Sequence, residues 1–209
     1  DQLVIEHKGI YSVEKFLIAR RLMYWQVYLH KTGLVAEHIL VNILKRAKEL
    51  SEKGVDLYAS SSLSYFLLNQ INADNFSNKT LETFSKLDDF DVLCAIKEWT
   101  NHSDSVLALL SKMLVNRKLL KIEIQEDAFK TQKIEKLKHK FSRKLNIPEQ
   151  DIHYFVFSES IKNQAYQTNK PIYILNKKGK LKDIAKASDQ LNLQTLTQPV
   201  VKHIICYPK

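Results

Sequence analysis

Arg20, Tyr24 and Tyr28 stand four residues apart, a spacing that puts three side chains on one slowly drifting stripe of an α-helix. A guanidinium forks onto two phosphate oxygens at once. A phenol offers both a ring face and a hydroxyl. The set suits a ligand with a phosphate chain and a sugar. Lys31 falls near the same side, while Gln26 and His30, also four apart, lie on a different face. One helix can therefore serve two polar sites. The structural alternative is ordinary: tyrosines at helical spacing pack in cores, and an arginine answers an acidic neighbour.

No complete catalytic centre is legible. The histidines are His7, His30, His38, His102, His139, His153 and His203, and none forms a His-Asp doublet, an HExxH or a paired Cys/His cluster. Walker loops and GxSxG elbows are absent from the sequence too. His102 and Asp104 could touch one metal, but Ser103 or Asp104 reads better as the cap of a helix beginning at Val106. The acidic run Asp88-Asp89-Phe90-Asp91 suits the first turn of a helix. Catalytic and metal-ligating residues are therefore not assigned.

Several elements must position the candidate stripe. A helix is predicted over 11–31, with Ser12 as its cap, and a second over 33–53, ending at Gly54. Shorter helical patterns occupy 60–71, 79–86, 90–101 and 104–116. The character changes near Arg117. Residues 119–124 alternate as a half-buried strand does, and a lysine-rich amphipathic helix follows at 129–145, ended by Pro148. Strands are expected at 152–157, 172–175 and 200–207, with a turn at 177–180. The layout is mainly α with a smaller α+β C-terminal subdomain, divided as 1–116 and 117–209.

Composition bounds the partners. The chain has 209 residues, four Gly, four Pro and a formal net charge of +9. That charge favours anionic partners such as nucleotides or nucleic acid. Cys94 and Cys206 lie far apart and read as reduced thiols of a cytoplasmic protein. No stretch reads as a signal peptide or approaches the roughly 18 apolar residues of a membrane span, so no membrane partner is expected.

The segment from Lys8 to Lys31, KGIYSVEKFLIARRLMYWQVYLHK, resembles a stretch of the HD-superfamily deoxynucleoside triphosphate triphosphohydrolases. In bacterial members this stretch reads approximately E-x-F-L-x-A-R-x-x-M-Y-x-x-V-Y-x-H. Leu87–Asp91, Lys97-Glu98-Trp99, His102-Ser103-Asp104 and Asn116–Lys121 resemble further family segments, so the likeness spans most of 8–125. It implies the helical part of an HD-domain fold, without the HD metal core. It implies a parent that converts a dNTP to the deoxynucleoside and triphosphate. A divalent metal such as Mg, Mn or Fe, held by an H…HD…D set, activates the attack there. Those ligands are expected upstream of Asp1, and this chain alone is expected to be inactive.

By the same resemblance, Arg20, Tyr24 and Tyr28 contact substrate. His30, Lys31 and Lys112 match contacts to a regulatory nucleotide, although Gln26 and Ala108 stand where the human SAM- and HD-domain relative has arginines. Homo-oligomers are expected. The rival reading is a non-catalytic oligomerisation or nucleic-acid-binding module. Its support is the row Lys130, Lys133, Lys136, Lys138, Lys140 and Lys144.

Overall fold

The computed structural model describes residues 3–163, 166, 169, 171–188 and 199–209. The chain forms two compact units built from interleaved segments. The first comprises Asp1–Gly33, Ile124–Ala128 and Glu159–Ile204; the second comprises Leu34–Glu123, Phe129–Ser158 and Ile205–Lys209. The expected boundary between 116 and 117 falls inside the second unit. The architecture is mainly helical with a small sheet-containing C-terminal part, as anticipated.

The first unit begins with a short strand, β1 (Val4–Glu6), and a 3-10 turn (His7–Gly9), which leads into helix α1 (Ile10–Met23). The predicted cap at Ser12 is displaced. The capping position is Gly9, three residues earlier, so the helix starts at Ile10 and Ser12 lies inside it. Glycine is needed there for space, since a Cβ on Gly9 would stand 2.9 Å from the Ile5 side chain. One face of α1 packs Ile10, Leu17, Val13 and Ile18 against Tyr166, Ile174 and Ile184. Those partners belong to β4 (Tyr173–Leu175), to helix α8 (Ile184–Ala187) and to the chain before them. With β5 (Leu181–Asp183), the strands form a sheet ordered β1-β4-β5, in which β1 runs parallel to β4 and β4 antiparallel to β5. The turn between β4 and β5 falls at the predicted 177–180. The Asn176 side chain accepts from the Lys178 and Lys180 amides, and Gly179 takes a φ of 71°.

In the second unit, most of α2 (Lys31–Glu52) is amphipathic and buries Leu34, Val35, Ile39, Ile43, Ala47 and Leu50. It stops near Gly54, whose φ of 81° admits glycine at little cost. Helices α3 (Ser61–Leu68), α4 (Asn78–Ser85), α5 (Asp89–Trp99) and α6 (Ser105–Val115) follow. Each carries a side-chain cap. Ser60 accepts from the Leu63 amide, Ser77 from Thr80, Asp104 from Leu107, and Asp88 completes a capping box with Asp91. Strand β2 (Lys121–Gln125) and helix α7 (Thr131–Leu145) come next. The stop of α7 is Asn146 at a φ of 52°, with Ile147 N donating to the Ser142 carbonyl, rather than Pro148. A further sheet, whose residues are not confined to the second unit, is ordered β2-β6-β3 and contains β3 (Phe157–Asn163) and β6 (Val200–Tyr207).

The strand expected at 152–157 is instead a 3-10 turn at Ile152–Tyr154, with β3 starting at Phe157. Ile152 and the unbroken run Tyr154, Phe155 and Val156 are buried while His153 is exposed, so burial here does not alternate as it does along a half-buried strand. An ion network explains why the chain bends here. Arg46, buried in α2, sends Nε and Nη2 to the two Asp104 carboxylate oxygens at 3.1 and 2.6 Å. Its Nη1 donates to Asp151 and to Glu49, both at 3.3 Å. The Tyr154 hydroxyl donates to Glu49, and the Tyr154 carbonyl accepts from the Asn42 amide at 2.9 Å.

Burial pushes the Asp104 carboxyl up, but the Arg46 fork and the Leu107 amide outweigh it and hold it below the usual range. A depressed folded pKa adds stability that is present above the unfolded value of about 3.9 and is lost as pH falls through the folded one. Asp104→Asn keeps the cap and removes the charge. Urea midpoints of wild type and Asp104→Asn are expected to differ clearly at pH 7 and to converge towards pH 3; an equal gap at both pH values would refute the ion-pair account.

Candidate functional site

The predicted single helix over 11–31 is two elements with a wide turn between them. After Met23 the backbone passes into a π-helical turn, Tyr24–Tyr28, closed by Leu29 N donating to the Tyr24 carbonyl at 2.8 Å. A π turn inserts one residue into the helical spiral and recurs at functional sites. None of its five residues is buried. On one side, the Trp25 ring lies beneath the Lys202 ammonium of β6, 4.5 Å from ring centroid to nitrogen.

Where α1 passes into this turn the three candidate side chains meet, Arg20 from the helix and Tyr24 and Tyr28 from the turn. The Arg20 guanidinium lies 5.6 Å from the Tyr24 ring centroid, and the Tyr24 and Tyr28 rings are 5.0 Å apart at 51°. They make a ladder of cation, ring and ring. Arg20 and Tyr28 are exposed and Tyr24 is half-buried. Among the described residues, Arg20 pairs with no carboxylate, so its donors face outward unanswered. Two clefts, one of about 540 Å³ lined by Pro171, Tyr173, Leu181 and Asp183 among others, the other against α3, are built from different residues.

The ladder's surroundings are apolar and uncovered. Phe16, Leu22, Met23 and Val27 are between 44% and 61% exposed. The opposite face of α1 is packed, so this helix is apolar on both sides while only one side is buried. On the packed face Glu14 is buried. One of its oxygens accepts from the Ser188 hydroxyl, and Oε2 finds no partner among the described residues.

His30 and Lys31 are exposed, and the His30 ring accepts from the Thr32 amide at 3.4 Å. Lys31 is the first residue of α2, the positive end of that helix, so the helix dipole does not stabilise its charge. Lys112 is an exposed residue of α6 in the second unit, and Ala108, one turn earlier, is buried. His102 and Asp104 do not form a metal pair: the Asp104 amide donates to the His102 ring at 3.0 Å, and the carboxylate serves Arg46 and α6. Among the described residues, no group of three His, Cys, Asp or Glu side chains could hold a metal ion, and no helix is long and apolar enough to cross a membrane. Residue spacing missed the Arg46 network, because an arginine in mid-helix carries no local sign of which distant carboxylates it will meet.

Residues 1–63 match the family model described as an HD associated region. That span contains α1, the π turn, the ladder and α2. The chain is 35% identical over 120 residues to the uncharacterized protein YwfO of Bacillus subtilis strain 168, covering 57% of this chain and 26% of that protein. The crystal structure of a phosphohydrolase from Bacteroides thetaiotaomicron VPI-5482 superposes with a TM-score of 0.89 at 45% identity, over 100% of this chain and 52% of that one. A hypothetical protein from Aquifex aeolicus gives a TM-score of 0.58 at 20% identity, over 99% of this chain and 44% of that one, a likeness of fold alone. This chain therefore spans about a quarter of the curated relative and about half of the solved ones.

An arginine that no carboxylate answers contributes little to folding. Arg20→Ala is expected to change unfolding free energy by less than about 0.5 kcal/mol in urea. A loss beyond about 1 kcal/mol would mean that the guanidinium is a structural ion-pair member.

Proposed function

We propose that this chain is part of an HD-type, metal-dependent phosphohydrolase that cleaves dNTPs to the deoxynucleoside and triphosphate. The Arg20–Tyr24–Tyr28 ladder would form one wall of the substrate pocket. The observation that carries the reading is the unpaired Arg20 guanidinium, seated over a phenol ring and facing outward from a π turn. The likeness to the HD associated region and to the Bacteroides phosphohydrolase supports it.

Each group has a definite task. Arg20 holds phosphate oxygens bidentately and offsets their charge. Tyr24, beneath that guanidinium, keeps it from swinging into water. Tyr28 presents a hydroxyl and a ring edge to the sugar. The uncovered apolar side chains Phe16, Leu22, Met23 and Val27 fit a surface that the rest of a longer protein closes, excluding water from the pocket. The divalent metal and its H…HD…D ligands belong to that remainder, and no chemical step is assigned to the residues here. His30 and Lys31, adjacent and exposed, would contact a second, regulatory nucleotide between subunits of a homo-oligomer, with Lys112 a further contact.

The test is a substrate screen on the full-length protein with Mn²⁺ or Mg²⁺, reading inorganic triphosphate, pyrophosphate and phosphate separately. Release of triphosphate from a dNTP is expected; release of phosphate alone from other phosphoesters would move the substrate class elsewhere. Loss of a charge-assisted phosphate contact of about 1.5–3 kcal/mol predicts a roughly 10- to 100-fold fall in kcat/KM for Arg20→Ala. Unchanged kinetics would remove Arg20 from the site. The 209-residue chain on its own is expected to show no dNTP hydrolysis.

A further inference from the structure

Helix α7 carries six cations, Lys133, Lys136, Lys138, Lys140, Arg143 and Lys144, against a single Glu135. They are not spread evenly around it. At 100° per residue, Lys133, Lys136, Lys140, Arg143 and Lys144 share one face, whereas Lys138 is half-buried towards the other side and pairs with Glu135 at 3.0 Å. Ile134, Leu137, Phe141 and Leu145 occupy the packed side. The cationic face runs about 16 Å along the helix axis, at about 1.5 Å per residue.

Aromatic rings hold several of these ammonium groups in place. Lys133 lies 4.9 Å from the Phe129 ring centroid, and Lys140 and Lys144 lie 5.3 and 5.7 Å from that of Phe141. Lys121 of β2 lies 5.4 Å from the Tyr207 ring, which in turn packs against Phe141 at 5.9 Å. Phe129 and Phe141 are buried, so they are a floor beneath the charges rather than a stacking surface. Charges seated this way lose less side-chain freedom when they bind. Glu123 answers Lys133 at 2.6 Å and Lys121 at 3.7 Å. Lys136, Lys140 and Arg143 meet no carboxylate among the described residues.

We propose that this face of α7 binds the phosphate backbone of nucleic acid, without reading its sequence. The face matches an array of fixed charges: at about 3.4 Å per phosphate along a strand, its length faces about five phosphates. The rings beneath these cations, Phe129 and Phe141, are buried and cannot stack on bases, and His139, the exposed ring of α7, is engaged by Glu149 at 2.9 Å, so the contact is electrostatic and sequence-independent. An anionic membrane is the less suitable partner. A helix that beds into lipid flanks its cations with apolar side chains, and no large apolar residue of α7 is exposed. The inference is independent of the dNTP reading.

The test is fluorescence anisotropy of labelled single-stranded and duplex oligonucleotides of random sequence, titrated with full-length protein at 50 and 200 mM salt. Three proteins are compared. These are wild type, the triple variant Lys136→Gln/Lys140→Gln/Arg143→Gln, and a charge-matched control, Lys177→Gln/Lys178→Gln/Lys180→Gln, on the turn between β4 and β5. Five contacts to a single strand predict that wild-type affinity falls about a hundredfold between the two salts, and the two contacts left in the α7 variant less than about tenfold. The control should follow wild type. Binding that the α7 variant and the control weaken equally would reduce the effect to net charge and overturn the proposal. So would absence of binding to either oligonucleotide at 50 mM salt, or capture by phosphatidylserine vesicles alone. All positions substituted are exposed, and matching thermal melts exclude misfolding as the cause.

Discussion

An arginine only 8% exposed within a 22-residue helix has to find its counter-charges within the protein. Arg46 finds them at the ends of other elements. Asp104 is both its forked partner and the cap of α6, Asp151 stands at the start of the 3-10 turn, and Glu49 is shared with the Tyr154 hydroxyl. Removing one partner of such a set costs about 3–5 kcal/mol, because the other charge is then stranded. The second unit is thereby held to one arrangement: α2, the start of α6 and the 150s must meet at this cation or leave it unsatisfied.

The first unit solves a different problem. Its core is small, and α1 supplies much of it from one face. A helix with one apolar face inside and another apolar face outside is poorly explained by this unit alone. The uncovered side chains lie next to the Arg20–Tyr24–Tyr28 ladder, and the π turn that carries two of the three has no buried residue of its own. A rigid packed face therefore holds a chemically equipped, unburied one. That division of labour is what the proposed substrate wall would require, since positioning strength would come from the packed side.

Much of the helical layout was legible because its signals are local. Ser60, Ser77, Asp88 and Asp104 start helices by accepting from amides two or three residues on, an interaction contained within five residues of sequence. Periodicity placed α2 to α7 for the same reason. The readings that failed depended on something further away. Ser12 looked like a cap, but α1 is entered at Gly9, where the Ile5 side chain comes too close for a Cβ. The 150s looked like a strand, since a short apolar run with three successive buried residues, Tyr154 to Val156, has no period that separates strand from turn. Strands β1 and β5 are three residues each, too short for alternation to show. β1 exists because a segment some 170 residues later pairs with it in parallel register.

The sequence by itself determined where the helices α2 to α7 form, which side chains start several of them, and that Arg20, Tyr24 and Tyr28 recur every four residues along one stretch, because each of these rests on contacts between residues no more than a few positions apart. Tertiary structure alone decided that the helix widens into a π turn after Met23, that Arg46 gathers carboxylates from 58 and 105 positions away, and that two rings, Phe129 and Phe141, underlie lysines of α7. Those outcomes follow from which distant surfaces the folded chain buries together, and burial and desolvation are properties of the packed whole that no short window of residues contains.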